Sequence, residues 1–281
     1  VTTAEPRTVV LVGATSGIGR QSARLLAAAG HRLVLVGRDP GRAAQLAAEL
    51  PRAHVVTGDV ATTKGVDEVA DQVAAAVGEV DTLVNNAGVM CPRRRTTEEG
   101  HELNFAVHHL APYSLTGRLL PLLTRGDGRV VNVNSEGHRA PLRGRGPVRL
   151  DPDGLPEDLE SARGYDPFLA YSRTKLANLM FTYELQARYP ELTAVAVHPG
   201  MVRTRLGRDF PTVQVRVFSA FSRSARAGAE PLVRLATRPA VRRGAYYDRM
   251  TAVRSSAESY DTATARRLWA YTEELRGTYG R

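Results

Sequence analysis

Tyr171 and Lys175 stand four residues apart in a stretch, 166–189, that reads as helix, so both fall on one face a single turn apart. A phenol beside an ammonium suits acid–base chemistry. The positive charge favours phenolate and is expected to bring the tyrosine pKa down toward the working pH, making Tyr171 a proton donor or acceptor. Ser135 follows a β-branched run, 129–134, where its hydroxyl can donate to a carbonyl oxygen that gains negative charge; capping the next loop is the alternative role. A second constellation, Gly13-Ala14-Thr15-Ser16-Gly17-Ile18-Gly19, comes directly after the run 8–12 and opens a helix. Glycines there allow close backbone approach and leave amides free at a helix N-terminus, which is what a diphosphate needs.

The elements that must position these groups are legible as short β-branched runs alternating with Ala- and Leu-rich stretches. Strands are expected at 8–12, 32–36, 54–57, 82–85, 129–134, 193–197 and 245–248, and helices at 17–29, 41–50, 63–77, 98–123, 166–189 and 225–237. This is an α/β pattern: a doubly wound, parallel, seven-stranded sheet with helices on both faces. It leaves no room for a second core, so residues 1–281 are read as one domain. The stretch 261–276 carries Leu268, Trp269 and Leu275 at helical spacing and is expected to cap the sheet. Two irregular segments, about 136–164 and 199–223, follow strands and so lie at the carboxyl edge where ligands bind; they are read as substrate lids.

With Asn85-Asn86-Ala87-Gly88 after the fourth strand, these motifs resemble the short-chain dehydrogenase/reductases over nearly the whole chain. The resemblance extends to Asp59-Val60, Asn104, Ser135, Pro199-Gly200, Val202 and Thr204. Gly88-Val89-Met90, Lys175-Leu176-Ala177-Asn178 and Arg267-Leu268-Trp269 are most similar to the retinol-dehydrogenase-like branch. The resemblance implies a Rossmann-type fold and a catalytic set of Asn104, Ser135, Tyr171 and Lys175. In it, Lys175 also holds the nicotinamide ribose and Asn104 holds a water linking Lys175 to solvent. It further implies a cofactor bound by Gly13, Thr15, Ser16, Gly17, Ile18 and Gly19, by Asp59 and Val60 at the adenine, and by Asn86, Ala87 and Gly88 at its ribose. Pro199, Gly200, Val202 and Thr204 would lie at the nicotinamide. Gly37-Arg38 is similar to NADP-preferring members, with the Arg38 guanidinium placed for a 2′-phosphate; NAD(H) is the alternative, with Asp39 as a competing ribose contact.

The implied activity is NADP(H)-dependent carbonyl reduction or alcohol oxidation on a bulky, largely apolar small molecule. The same scaffold also serves isomerases, epimerases and cyclases, and a nucleotide-binding protein without chemistry is a third class. A net charge of +9 and a pI near 10.1 would suit nucleic acid. However, 38 basic residues less two lysines leaves 36 arginines spread along the chain, so no nucleic-acid partner is expected. Cys91 is the single cysteine, which excludes an internal disulfide and fits a reducing cytoplasm. No apolar run approaches the roughly 18 residues of a membrane span. His101, His108 and His109 are read as packing residues with no metal, and a homodimer or homotetramer is the expected assembly.

Overall fold

Alternation along β1 (Thr8–Val12) divides the core in two, because successive side chains of a strand point to opposite faces. Val10 and Val12 join one buried cluster and Val9 and Leu11 another. The computed structural model describes residues 5–140, 146–202 and 223–280. Over these the chain continues as α1 (Gly17–Ala28), β2 (Arg32–Gly37), α2 (Pro40–Glu49), β3 (His54–Thr57), α3 (Thr63–Ala76) and β4 (Thr82–Asn85). A composite helix, α4, follows: α-helical Leu103–Phe105, a π-helical turn Ala106–Leu110, and α-helical Ala111–Leu123. Then come β5 (Arg129–Val133), α5 (Leu155–Glu160), α6 (Pro167–Arg188), β6 (Thr193–His198), α7 (Ala225–Thr237), β7 (Tyr246–Asp248), β8 (Thr251–Val253) and α8 (Thr262–Arg276).

The strands form one sheet in the order β3-β2-β1-β4-β5-β6-β7-β8, parallel up to β7. Helices α1, α2 and α7 give Ala23, Leu26, Leu46, Leu232 and Leu235 to the Leu11 face, whereas α3, α4 and α6 give Val69, Leu119 and Phe181 to the Val10 face. Burial on both faces explains why β1 is apolar from Val9 to Val12 rather than alternating with polar residues. Chain order reverses between β1 and β4, and the crevice at such a switch point is where ligands of open α/β sheets bind. Register puts Val12, Val36, Asn85 and Asn132 in one row at its lip.

Side-chain caps fix where the helices begin: Asp39, Thr62, Asp166, Ser224 and Asp261 each accept an amide of their helix's first turn. Each such cap contributes about 1 kcal/mol. Asp166 with Pro167 behind it sets the phase of α6, and thereby the direction of Tyr171 one turn later.

Four expectations change. The sheet has eight strands, because Thr251–Val253 doubles back antiparallel on β7 as an exposed edge strand. The helix expected over 98–123 starts at Leu103 and contains the π turn. The segment 136–164 is not irregular throughout: it includes α5, and Val148, Leu150, Leu155 and Leu159 are buried against Phe105 and Leu176. Finally, α8 packs on α6 instead of capping the sheet, with Trp269 stacked on Phe181.

Candidate active site

The glycine-rich turn is shaped by contacts that only glycine permits. Gly13 has φ +81°, and a Cβ there would come within 2.8 Å of the Ala87 Cα. A Cβ on Gly19 would collide with the Gly13 carbonyl, and one on Gly37 would overlap the Thr15 methyl. The turn is therefore pressed against β2 and against the loop after β4, where Asn86 Nδ2 donates to the Gly13 carbonyl at 3.0 Å. Ser16 is the N-cap of α1, but its hydroxyl makes no cap bond, so the first-turn amides of Gly17 and Ile18 meet the crevice without a side-chain partner from the cap. Thr15, Ser16, Gly17, Ile18 and Gly19 thus fit a diphosphate.

At the ends of β2 and β3, Arg38 and Asp59 face each other with Nη1 3.7 Å from Oδ2, and both side chains are about half exposed, 53% and 45%. Asp59 spends its other oxygen on the Ala61 amide at 3.1 Å, and Val60 is buried beneath. Arg20 is held by Glu49 at 2.7 Å, and Arg42 lies 3.9 Å from Asp39. Arg38 is the most exposed of these three guanidinium groups. Gly88 is exposed beside half-buried Ala87 on the loop after β4. Pro199, Gly200 and Val202 follow β6, and Val202 packs on the start of α7, where a Cβ on Gly228 would lie 2.5 Å from its Cγ2 and 3.3 Å from Ile18. Thr204, and most of the segment expected at 199–223, lie outside the described residues.

Ser135, Tyr171 and Lys175 converge at the carboxyl end of β5. A Cβ on Gly137 would lie 3.3 Å from Tyr171 Cε1 and 3.4 Å from Ser135 Oγ, which puts both hydroxyl-bearing side chains beside one glycine. Ser135 Oγ accepts the Gly137 amide at 3.1 Å, so the capping role is real, and its hydrogen remains free to donate. Lys175, 5% exposed, donates from Nζ to the Val133 carbonyl at 2.9 Å, with Nζ 5.7 Å from the centre of the Tyr171 ring.

The charge logic differs from the expectation. Burial pushes the Tyr171 phenol up from its ordinary value, and the opposing influence is the Ser135 hydroxyl, not Lys175. Burial also brings the Lys175 ammonium down to about 7. Both shifts have one cause: the pair lies where water cannot stabilise either charged form, and the ammonium is turned to Val133 rather than to the phenol oxygen.

Asn104 does not join this group. It is fully buried, with Nδ2 donating to Glu102 Oε1 at 2.6 Å and to the Tyr165 hydroxyl at 3.2 Å, and its Oδ1 has no hydrogen-bond partner. The hydrogen bonds from α4 to α6 come instead from the π turn, through His108 and its carbonyl. Sequence reasoning also passed over Asn134, Asn178 and His138. Asn134 accepts the Ser135 amide at 2.8 Å and donates to the Lys175 carbonyl and to Asn178 Oδ1, both at 2.9 Å. His138 Nε2 accepts the Ser256 amide at 3.2 Å, so its Nδ1 carries the proton and donates to the Ser135 carbonyl at 2.6 Å. The one signal for this framework was an asparagine next to the serine.

Residues 7–146 match the model of the short chain dehydrogenase family. The chain is 36% identical over 270 residues, 94% of its length and 90% of the relative's, to a protein of Streptomyces sp. (strain C5) whose name proposes daunorubicin C-13 ketoreductase activity. It is 34% identical to human retinol dehydrogenase 13 over 292 residues, covering 96% of this chain and 85% of that one. A solved structure from Mycobacterium paratuberculosis superposes with a TM-score of 0.78 at 32% identity, covering 99% of this chain and 96% of that one. Site geometry and these likenesses agree: the chain belongs to the short-chain dehydrogenase/reductase family, in its retinol-dehydrogenase-like branch, and is an oxidoreductase that acts on CH–OH or carbonyl groups with a nicotinamide cofactor.

Proposed function

We propose that the protein is an NADP(H)-dependent carbonyl reductase, working reversibly as an alcohol dehydrogenase, on a bulky and largely apolar ketone. The observation that carries the chemistry is the placing of Ser135 and Tyr171 together beside Gly137, with the Lys175 ammonium 5.7 Å from the Tyr171 ring. NADPH, held by the turn 13–19 and by Arg38, would supply a hydride to the substrate carbonyl. Burial keeps Tyr171 protonated at neutral pH, so its Oη has a proton to give to the substrate oxygen, and the free hydrogen of Ser135 steadies the same oxygen while charge builds on it. Lys175, with a pKa brought to about 7, can hold or release a proton near neutrality one turn from the phenol.

Arg38 supports the NADP preference. It carries an outward guanidinium at the end of β2, while Asp39 is committed to capping α2 through the Arg42 amide at 2.9 Å. The name of the Streptomyces relative and the retinol dehydrogenase likenesses support a large apolar carbonyl compound. Asn104 is retained in the proposal as a residue that braces the region through Glu102 and Tyr165, and a cytoplasmic location is part of the same reading. The test is a panel of polycyclic and long-chain ketones with NADPH. One alcohol formed per NADPH consumed is expected; product formed without loss of NADPH would make the chain an isomerase or cyclase instead.

A further inference from the structure

His108 lies in the π turn Ala106–Leu110 and is 1% exposed, yet each of its polar atoms is committed. Nε2 is 3.1 Å from the amide nitrogen of Val89, which can only donate, so Nε2 must present its lone pair. In a neutral imidazole the proton is then on Nδ1, which lies 2.9 Å from Thr174 Oγ1. The Thr174 hydroxyl sends its own hydrogen to the Tyr171 carbonyl at 2.9 Å. Directions along this chain are all determined: Val89 amide to His108, His108 to Thr174, Thr174 to Tyr171.

The other arm starts from the backbone. The His108 carbonyl accepts Asn178 Nδ2 at 2.8 Å, Asn178 Oδ1 accepts Asn134 Nδ2, and Asn134 Oδ1 accepts the Ser135 amide. The ring also meets Tyr171 edge-on, with centroids 5.3 Å apart at 89°. Protonating Nε2 would set two N–H groups against each other at Val89. Burial and the neighbouring Lys175 charge oppose that protonation too, holding the His108 pKa well below the ordinary histidine value.

We propose that His108 is a positioning residue: a neutral, Nδ1-protonated brace that ties the loop bearing Gly88 and Val89 to the turn of α6 bearing Tyr171. It thereby fixes the phenol relative to the cofactor crevice. This rests on the catalytic reading of Tyr171 above. A packing histidine would need neither a fixed tautomer nor a donor matched to one nitrogen and an acceptor to the other.

Two measurements test it. In 15N-histidine-labelled protein, with His108 assigned by its loss in His108→Gln, Nδ1 should read as protonated and Nε2 as unprotonated, unchanged from about pH 5.5 to about pH 8.5. An Nε2-protonated or titrating ring would overturn the proposal. In the second, NADPH-dependent reduction of 2,2,2-trifluoroacetophenone is followed in variants whose melting curves show them folded. His108→Phe keeps the ring volume and the contact with Tyr171 but loses both nitrogens. Its kcat should fall about 10- to 100-fold with KM for the ketone held, the scale of a small misplacement of a reacting group. His108→Gln, which keeps one donor and one acceptor, should recover part of that loss. Unchanged kcat in His108→Phe, or equal losses in the two variants, would overturn the brace. A wild-type chain that consumes no NADPH with any ketone would overturn the reductase reading instead, and the imidazole spectrum then decides the brace alone.

Discussion

The Lys175 ammonium donates to the carbonyl of Val133, two residues before Ser135, so the strand that delivers the serine also anchors the lysine. That anchor is buried, and the burial has a consequence for stability. A lysine whose folded pKa is about 7, against an ordinary 10.5, binds fewer protons folded than unfolded between those values. Stability contributed at this site therefore rises with pH from about 7 to about 10.5, and the cost of the buried charge is fully present below 7. Lys175→Met should melt higher than wild type at pH 6, by an amount on the order of a few kcal/mol, and lose the advantage by pH 10. Paired melting curves at the two pH values check this; a gap that is constant with pH would refute it.

Tyr171→Phe removes one oxygen from a ring that packs edge-on against His108. Cofactor affinity should stay close to wild type while kcat falls by about 100- to 10,000-fold, the range for loss of a positioned general acid. Fluorescence titration with NADPH beside steady-state turnover separates the two quantities. Substantial remaining turnover would remove Tyr171 from its role.

Arg38→Asp exchanges an outward guanidinium for a carboxylate beside Asp59. The ratio of NADPH to NADH affinity should fall by about 10- to 100-fold, since hydrogen bonds to charged groups contribute roughly 1.5–3 kcal/mol. Isothermal titration with both cofactors reads the ratio directly. If it holds, another group recognises the phosphate.

Gly19→Ala puts a methyl into the Gly13 carbonyl, which is backbone and cannot move aside without reshaping the turn, and against Asn86 Nδ2 as well. Nucleotide binding should be lost and the melting temperature lowered, with a cost of about 1–3 kcal/mol typical of overpacking. Gly78→Ala is the control, because nothing lies within 4 Å of a Cβ there.

Most strands were readable because parallel strands buried on both faces must be continuous apolar runs, as in Val9-Val10-Leu11-Val12. β8 escaped because its three residues are exposed and paired on one side, which removes the need for apolar residues. α5 escaped for a related reason: its four-residue spacing of Leu155 and Leu159 sits among Pro, Asp and Gly residues that read as loop. Asn104 stands apart from the other three residues for a different reason. It lies four residues before His108, a spacing that shares a face in a regular α-helix. Between them, however, the helix has only just begun at Leu103 and enters a wider π turn at Ala106, and the hydrogen bonds to α6 are made by His108. No residue type announces a π turn.

The Thr15 methyl occupies the space that a side chain on Gly37 would need, and this orders the mutational routes open to the enzyme. Position 37 adjoins Arg38, so it is the natural place to add a charge that retunes cofactor choice. With Thr15 present, any such substitution must push aside the Thr15 side chain and strain the glycine-rich turn that carries it. A lineage changing its coenzyme must therefore act at position 38 or beyond, or shorten residue 15 first and change residue 37 second. The effects of the two sites are not additive, and the double variant should tolerate what the single change at 37 does not.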